Sequence, residues 1–449
     1  MDVALLEHVA AVLSRHVKVD DRLTVGLSGG LDSVVLLRVL YLLRDRFPLR
    51  LAAHHVNHQI SPHAASWAEF CEGLCLELAI PFTQTIVHVP RQTDMGLEAA
   101  ARTSRHRVFR ELDVDFIVLA HHQDDQAETV LFRLLRGGGV KGLSAMGESS
   151  ILPKGEYHAV SPQLLRPLLH IPRSTLIEFA RAEGLTWVED ESNTDARYTR
   201  NYIRSELMPR IEARFPAYRS VLDRCAAQFA EAEQLLDTLA SMDAIGAIKA
   251  GRMSISALAA LDEPRAKNLL RYFLAQHHLK MPSHDRLQEI LRQIVTARED
   301  AMACVMHDGI ELRRFRGALY VAPQLSLPSS DWRSKWDGQW HWLIPELNGT
   351  MVFQDVSGTG IKKSVLLQND VHVRLRSGGE KLRLGPHRPR RTLRNLLPAT
   401  DIPPWDRERL PLLYIGDELA CVPGVGIDAE FQAQPGEEGI AVTWVPAGK

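Results

Sequence analysis

Six consecutive residues, Ser28-Gly29-Gly30-Leu31-Asp32-Ser33, carry the strongest chemical signal in the chain. They follow a short β-rich run, Arg22–Leu27, and open a helical pattern over Val34–Leu43. Glycines let the backbone turn tightly and come close to a ligand. The N–H groups of such a turn and the positive end of the following helix attract negative charge. The serine hydroxyls add donors. The G-K-[ST] ending of a Walker A loop is missing. The plain alternative is a Gly-Ser turn that merely starts a helix. Asp32 in the first helical turn, and the position at the first strand end, favour an anion site.

Three further groups have chemistry-bearing residue types. His54-His55-Val56-Asn57-His58 ends a second β-rich run, Leu51–Val56. Glu98-Ala99-Ala100-Ala101-Arg102 opens a third helical pattern. A guanidinium at Arg102 suits phosphate oxygens or an oxygen gaining charge in a transition state; otherwise it is an ordinary helical arginine. Ala120 to Thr129 begins with His121-His122 and runs into a helix that carries Asp124, Asp125 and Glu128. Asp125 and Glu128 are three apart, so they share a helix face and suit a cationic amino group. Acids are favoured at a helix start in any case, and Asp124 reads as that bland case. His121 and His122 fit a cap or packing role as well as a direct one.

The elements that must position these residues alternate. Leu5–Val17 is helical, then strands at Arg22–Leu27, Leu51–Val56, Thr83–Val89 and Phe116–Ala120 are separated by helices at Val34–Leu43, Ser66–Leu78 and Leu97–Leu112, with Asp124–Leu135 after the last strand. That order predicts an α/β fold with a parallel sheet wrapped by helices. In such a sheet, ligands bind beyond the carboxyl ends of the strands, where the loop, His55–His58 and His121–Asp125 all fall. Pro209 and Pro216 interrupt the pattern that starts near Asn201. Ala217–Ala244, Ser254–Leu261, Glu263–His277 and Ser283–Thr296 then read as helices, followed by a hairpin over Ile310–Val321 with Arg316-Gly317 at its turn. Pro323–Asp337 reads as a linker, and the remainder as short strands and turns of an α+β domain. The expected domains are 1–214, catalytic; 215–322, mainly helical; 323–345, linker; and 346–449, nucleic-acid binding.

Length and composition agree. The chain has 449 residues, enough for two or three domains. With 45% hydrophobic and 24% charged residues it excludes long disorder. Formal net charge is −2, so a nucleic-acid surface must be a local patch. One such patch exists. Arg374, Arg376, Lys381, Arg383, Arg388, Arg390, Arg391 and Arg394 surround a single acid, Glu380. Gly385, Pro386 and Pro389 put much of it on a loop, and the absence of an aromatic run suggests phosphate and shape contacts. The alternative is a solvated basic loop. Five scattered cysteines without metal spacing, no export signal and no apolar run of membrane-spanning length point to a reducing cytoplasm.

The S-G-G-x-D-S run resembles the signature of PP-loop ATP-pyrophosphatases, which have an adenine nucleotide alpha hydrolase-like fold and cleave ATP between its α- and β-phosphates. Further along come Arg136-Gly137-Gly138-Gly139, Gly142-Leu143-x-x-Met146, Arg166-Pro167-Leu168-Leu169, Asp190-x-Ser192-Asn193 and Arg200-Asn201-x-Ile203-Arg204. Gly378-Gly379-Glu380, Ile402-Pro403-Pro404-Trp405 and Leu410-Pro411-Leu412-Leu413 lie beyond them. The ordered set resembles the tRNA(Ile)-lysidine synthase family. That resemblance implies a ligase that joins free lysine to carbon 2 of the wobble cytidine of a CAU-anticodon isoleucine tRNA, using ATP and Mg²⁺. It implies ATP binding by Ser28, Gly29, Gly30, Leu31, Asp32, Ser33, His55 and Asn57, with Asp32 also able to hold Mg²⁺. Asp32 and Arg102 become the catalytic residues, and Asp125 and Glu128 the lysine-binding pair. Arg204 joins Arg374, Arg376, Arg388, Arg390, Arg391 and Arg394 as tRNA contacts. A homodimer is among the assemblies it allows. Departures are Gln59-Ile60-Ser61 where Gly-Leu-Arg is usual, His106 for a tyrosine, Ala145 for a glycine and Glu191 for a proline. A tRNA thiolase is disfavoured by the lack of a cysteine pair, and a glutamine amidotransferase by Asp2 following Met1. A non-catalytic binding protein would be expected to lack Asp32, Arg102 or the acid pair.

Overall fold

A computed structural model describes residues 3–89, 97–152, 161–189, 199–297, 303–324, 326–329 and 331–446. The chain forms two compact units, Met1–Thr238 and Leu239–Lys449. The Asp190-x-Ser192-Asn193 motif lies outside the described residues.

The first unit runs α1 (Val3–His16), β1 (Arg22–Gly26), α2 (Leu31–Leu43), β2 (Arg50–Asn57), α3 (Ala64–Glu77), β3 (Phe82–Ile86), α4 (Leu97–Arg110), β4 (Phe116–Val118) and α5 (Gln123–Leu135). It continues with α6 (Val140–Leu143), β5 (Ser149–Ile151), β6 (Gln163–Leu165), α7 (Arg173–Ala182), α8 (Thr199–Tyr202), α9 (Met208–Arg214) and α10 (Tyr218–Ala244), the last of which contains the boundary with the second unit. The sheet order is β3-β2-β1-β4-β6-β5, parallel throughout except for β5 against β6. Successive connections move outward in one direction from β1 to β3 and in the other from β4 to β6. The order therefore reverses between β1 and β4, and that reversal opens a crevice at their carboxyl ends. The central strands are buried: β1 turns Leu23 and Val25 into a core with Val118, Leu165 and the inner face of α2. This is the near-continuous apolar strand that a sheet covered on both faces requires.

Between α8 and α9 the backbone makes one π turn, Ile203–Leu207, in which the Met208 N–H reaches back five residues to the Ile203 carbonyl. Such wide turns concentrate at functional positions.

The second unit holds a five-stranded antiparallel sheet ordered Ile248–Lys249, Arg252–Ser254, Ala318–Pro323, Ile310–Phe315 and Cys304–His307. Helices Ile255–Ala259, Glu263–Gln276 and His284–Thr296 pack on it through Leu269, Phe273, Leu287 and Ile290. The hairpin turn has Arg316 at φ 47° and Gly317 at φ 71°, the left-handed pair that matches strand twist. The other three strands were not evident from the sequence, being two to four residues long. Two larger sheets and the antiparallel pair Lys381–Leu382 with Arg391–Thr392 complete the described part of the unit. One is ordered Arg333–Lys335, Val371–Arg374, Leu412–Ile415, Glu418–Val422 and Gly426–Ile427. The other is ordered His341–Ile344, Gly349–Ser357, Glu438–Pro446 and Ile361–Lys362. Strands Arg333–Lys335 and His341–Ile344 thus fall inside the stretch read as linker. Their alternate residues pack inward, as Trp342 and Ile344 do. Among the described residues no helix is long and apolar enough to cross a membrane.

Candidate active site

The loop after β1 is built on its own hydroxyls. The Ser28 N–H donates to Ser33 Oγ at 3.2 Å, Ser33 Oγ donates to the Gly30 carbonyl at 3.0 Å, and the Gly30 N–H donates to Ser28 Oγ at 3.3 Å. Gly29 has φ +85°, and a β-carbon there would meet Val188 Cγ2 at 2.8 Å. Glycine is required on both counts. The Gly29 carbonyl accepts from the Val188 N–H at 3.0 Å, which pins the turn from outside. Gly30 then caps α2, so the positive end of that helix faces the crevice with Leu31 buried beneath it and Asp32 in its first turn.

Across the crevice, His122 caps α5. Its Nδ1 accepts from the Asp125 N–H while Asp125 Oδ2 accepts from the His122 N–H, a reciprocal capping box. The imidazole is almost fully buried and places Nε2 3.5 Å from Asp32 Oδ2 and 3.4 Å from Asp125 Oδ2. It joins the two strand ends. Arg173 Nε lies 3.4 Å from Asp32 Oδ1, yet that oxygen is buried and accepts no hydrogen bond among the described residues. Burial pushes the Asp32 carboxyl up, but the hydrogen bond and charge of His122, with the charges of Arg173 and Arg204, hold it below its usual value. Burial is likewise outweighed at Asp125 by His122, His121, Arg204 and Arg200.

Asp125 and Glu128 lie together on α5, and both face Arg204. Arg204 Nε donates to Glu128 Oε1 at 2.6 Å, and Nη2 donates to Glu128 Oε2 at 2.9 Å and to Asp125 Oδ1 at 2.9 Å. Arg200 Nε stands 3.6 Å from Glu128 Oε2. The Arg204 side chain is still 44% exposed. Arg204, expected among the tRNA contacts, here neutralises the acid pair. Asp124, read from the sequence as an ordinary acid at a helix start, accepts from the Arg173 N–H at 3.0 Å and from the Arg219 guanidinium.

The β2 end is histidine-rich. His55 Nδ1 donates to the Leu27 carbonyl at 2.8 Å, which fixes the tautomer and leaves Nε2 as the acceptor. The Asn57 amide donates to the Ala64 carbonyl and its carbonyl oxygen accepts from the Gln59 N–H. Both polar ends serve the turn into α3. Arg102, on α4, is half-buried and lies near enough to His106, His121 and Arg166 to repel a proton from each.

Burial holds His54, His58 and His106 at about 4, against an ordinary 6.5. Nearby cations add to the effect at His58 and His106. As pH falls through 6.5 the unfolded chain takes up these protons while the fold does not, so stability is lost between pH 6.5 and 4. Discounted for solvent screening, each contributes on the order of 1 kcal/mol. His122 and His170, raised by their carboxylate neighbours against the cost of burial at His122, act in the opposite sense but are fewer. Calorimetry should therefore show a melting temperature that declines steadily from pH 6.5 to 4.5; a flat profile would contradict the assignment.

The second unit carries the basic stretch. Arg388, Arg390, Arg391 and Arg394 are exposed. Arg390 and Arg383 share Glu430. Arg374 and Arg376 are half-buried and committed locally. Arg374 lies 4.7 Å over the Tyr414 ring and donates to His372 Nε2, and Arg376 stands 3.9 Å from Glu380.

A phosphate-ready turn at the switch point of this strand order, with a carboxylate beside it, defines a PP-loop nucleotide enzyme. Residues 2–211 match the family model described as the PP-loop domain. Residues 253–320 match the TilS substrate binding domain and 371–444 the TilS substrate C-terminal domain. The chain is 42% identical to the tRNA(Ile)-lysidine synthase of Nitrosomonas europaea, over 97% of this chain and 94% of that protein. It is 40% identical to that of an Azoarcus species, over 95% and 92%, and 36% identical to that of Coxiella burnetii, over 92% and 91%. The chain belongs to the tRNA(Ile)-lysidine synthase family.

Proposed function

We infer that this chain forms lysidine, joining lysine to carbon 2 of the wobble cytidine in a CAU-anticodon isoleucine tRNA at the expense of ATP. The observation that carries the reading is the pairing of an anion-binding loop with a facing acid pair at one switch point, in a chain matched along almost its whole length. The base oxygen attacks the α-phosphate, and pyrophosphate leaves into the Ser28–Ser33 loop. The ε-amine of lysine then attacks carbon 2, the carbon–oxygen bond breaks and AMP departs with that oxygen. Residues 1–214 carry this chemistry, and residues 346–449 grip the tRNA.

Asp32 Oδ1, which is buried and accepts no hydrogen bond among the described residues although Arg173 Nε stands 3.4 Å away, would hold a Mg²⁺. Bound there, the ion would neutralise charge on the departing pyrophosphate. Arg102 stabilises charge on the reacting phosphate. Asp125 and Glu128 receive the α-ammonium of lysine in exchange for Arg204. Its ε-ammonium, with a free pKa near ~10.4, must lose a proton before it attacks, so a carboxylate pair is better placed on the other amine.

Mass spectrometry of nucleosides from isoleucine tRNA incubated with the protein, ATP and lysine tests the reading; unmodified cytidine at the wobble position would refute it. The tRNA-binding role of the basic stretch is tested separately. Neutralising Arg388, Arg390 and Arg391 together should weaken tRNA binding and reduce the slope of log affinity against log salt by roughly two to three. The KM for ATP should stay within twofold. An unchanged salt slope would leave the stretch a solvated loop.

A further inference from the structure

Arg166 follows β6 directly, and β6 ends beside β4: the Leu119 N–H donates to the Leu165 carbonyl at 2.8 Å. Arg166 therefore stands at the carboxyl edge of the sheet next to His121. It is only 6% exposed. Its Nη1 donates to the Gly147 carbonyl at 2.8 Å and to Ser150 Oγ at 3.1 Å, and its own N–H to the Glu148 carbonyl. Those bonds tie down one side of the guanidinium. On the other side Nε is buried, and among the described residues neither Nε nor Nη2 makes a hydrogen bond. No carboxylate among them is paired with it, whereas the neighbouring charges are the cations Arg102 and Arg133. Burial and those two charges bring the guanidinium down to about 10. His121 Nδ1, on the adjoining strand end, is a second buried polar atom without a hydrogen-bond partner among the described residues.

A buried guanidinium ordinarily has an anion, because an isolated buried charge is strongly unfavourable. Here the backbone supplies oxygens for one edge only. The remaining Nε–Nη2 edge has the spacing that takes two oxygens of one phosphate. We propose that this edge of Arg166, together with Arg102, binds a phosphate group at the carboxyl ends of β4 and β6, on the opposite side of β4 from the Ser28–Ser33 loop. Because the loop takes the pyrophosphate, this second phosphate belongs either to the adenylate or to the RNA backbone beside the target base. The two sources share one chemistry. The inference rests on the ATP- and tRNA-dependent reading above.

The test uses the full-length protein and Arg166→Lys, which keeps a charge and a donor but loses the fork. Two constants are read: KM for ATP at saturating tRNA, and KM for an anticodon stem-loop at saturating ATP. One should rise at least tenfold while the other stays within twofold. A rise for ATP assigns the phosphate to the nucleotide, and a rise for the stem-loop to the RNA. Ser150→Ala is the structural control: it removes an Nη1 bond but leaves the Nε–Nη2 edge, so it should lower the melting temperature slightly and move neither constant. Should Arg166→Lys itself melt early, equilibrium binding of AMP and of the stem-loop below its melting temperature replaces kinetics, with the same expected loss. Both constants within twofold of wild type, or equal losses in Ser150→Ala and Arg166→Lys, would overturn the proposal. If wild-type protein shows no ATP- and tRNA-dependent turnover, the functional reading has failed instead.

Discussion

Asp32→Ala is expected to lower tRNA-dependent pyrophosphate release by at least roughly a hundredfold, the usual loss when a charge aimed at the reacting phosphates is removed. The carboxylate sits in the first turn of α2, and its Oδ1 accepts no hydrogen bond among the described residues. It also holds His122 and Arg173, so the variant leaves one buried imidazole with Asp125 and Asp124 as its remaining acids. Stability should change by about 1 kcal/mol or less, since both lost contacts are long, the Arg173 pair is partly exposed, and His122 keeps Asp125 and Asp124. Circular dichroism and melting should therefore match the wild type while activity does not. Release at more than a tenth of the wild-type rate would remove Asp32 from the reaction.

Glu128→Gln should have the second-largest effect, and on a different step. The side chain is 3% exposed and receives two bonds from Arg204. Gln keeps the shape but removes the charge that anchors the pair, so Arg204 and Arg200 lose their strongest acceptor. If Asp125 and Glu128 receive lysine, adenylation of the tRNA should proceed at near the normal rate. The KM for lysine should rise on the order of a hundredfold, the equivalent of ~2.7 kcal/mol for a charge-assisted bond to a partly buried carboxylate. High lysine should restore transfer. Adenylation measured by pyrophosphate release in the absence of lysine decides the matter: if it disappears, the acid pair serves ATP and not the amino acid.

The α/β architecture and the loop were legible because both are local. Alternating apolar runs and glycine-marked turns are written within windows of a few residues, and the Ser28–Ser33 hydrogen bonds close over at most five positions. The α5 face was legible for the same reason. What escaped depends on contacts remote in sequence. Arg204 reaches Glu128 across 76 positions, and nothing near Arg204 distinguishes a guanidinium turned toward an acid pair from one turned toward phosphate. Arg166 comes after a strand of three residues, too short for periodicity to reveal. Had that strand been recognised, an arginine at its carboxyl end would have drawn attention by position alone. Asn57 shows the same limit of residue type. Asparagine favours tight turns as much as ligands, and here the turn before α3 uses both ends of its amide.

The π turn at Ile203–Leu207 fixes how many residues this stretch of polypeptide must contain. A π turn holds one residue more than the α-turn it replaces. Deleting a single codon within Thr199–Tyr202 would let the segment relax to ordinary winding with the flanking chain still in register, but the residues between the deletion and the turn would rotate by roughly 100°. Ile203, now 1% exposed, and Arg204 could not both keep their bearings. Substitutions along the outer face of the turn should be absorbed, while single-residue insertions or deletions should not. Length, more than side-chain identity, is what a library of variants should find invariant there.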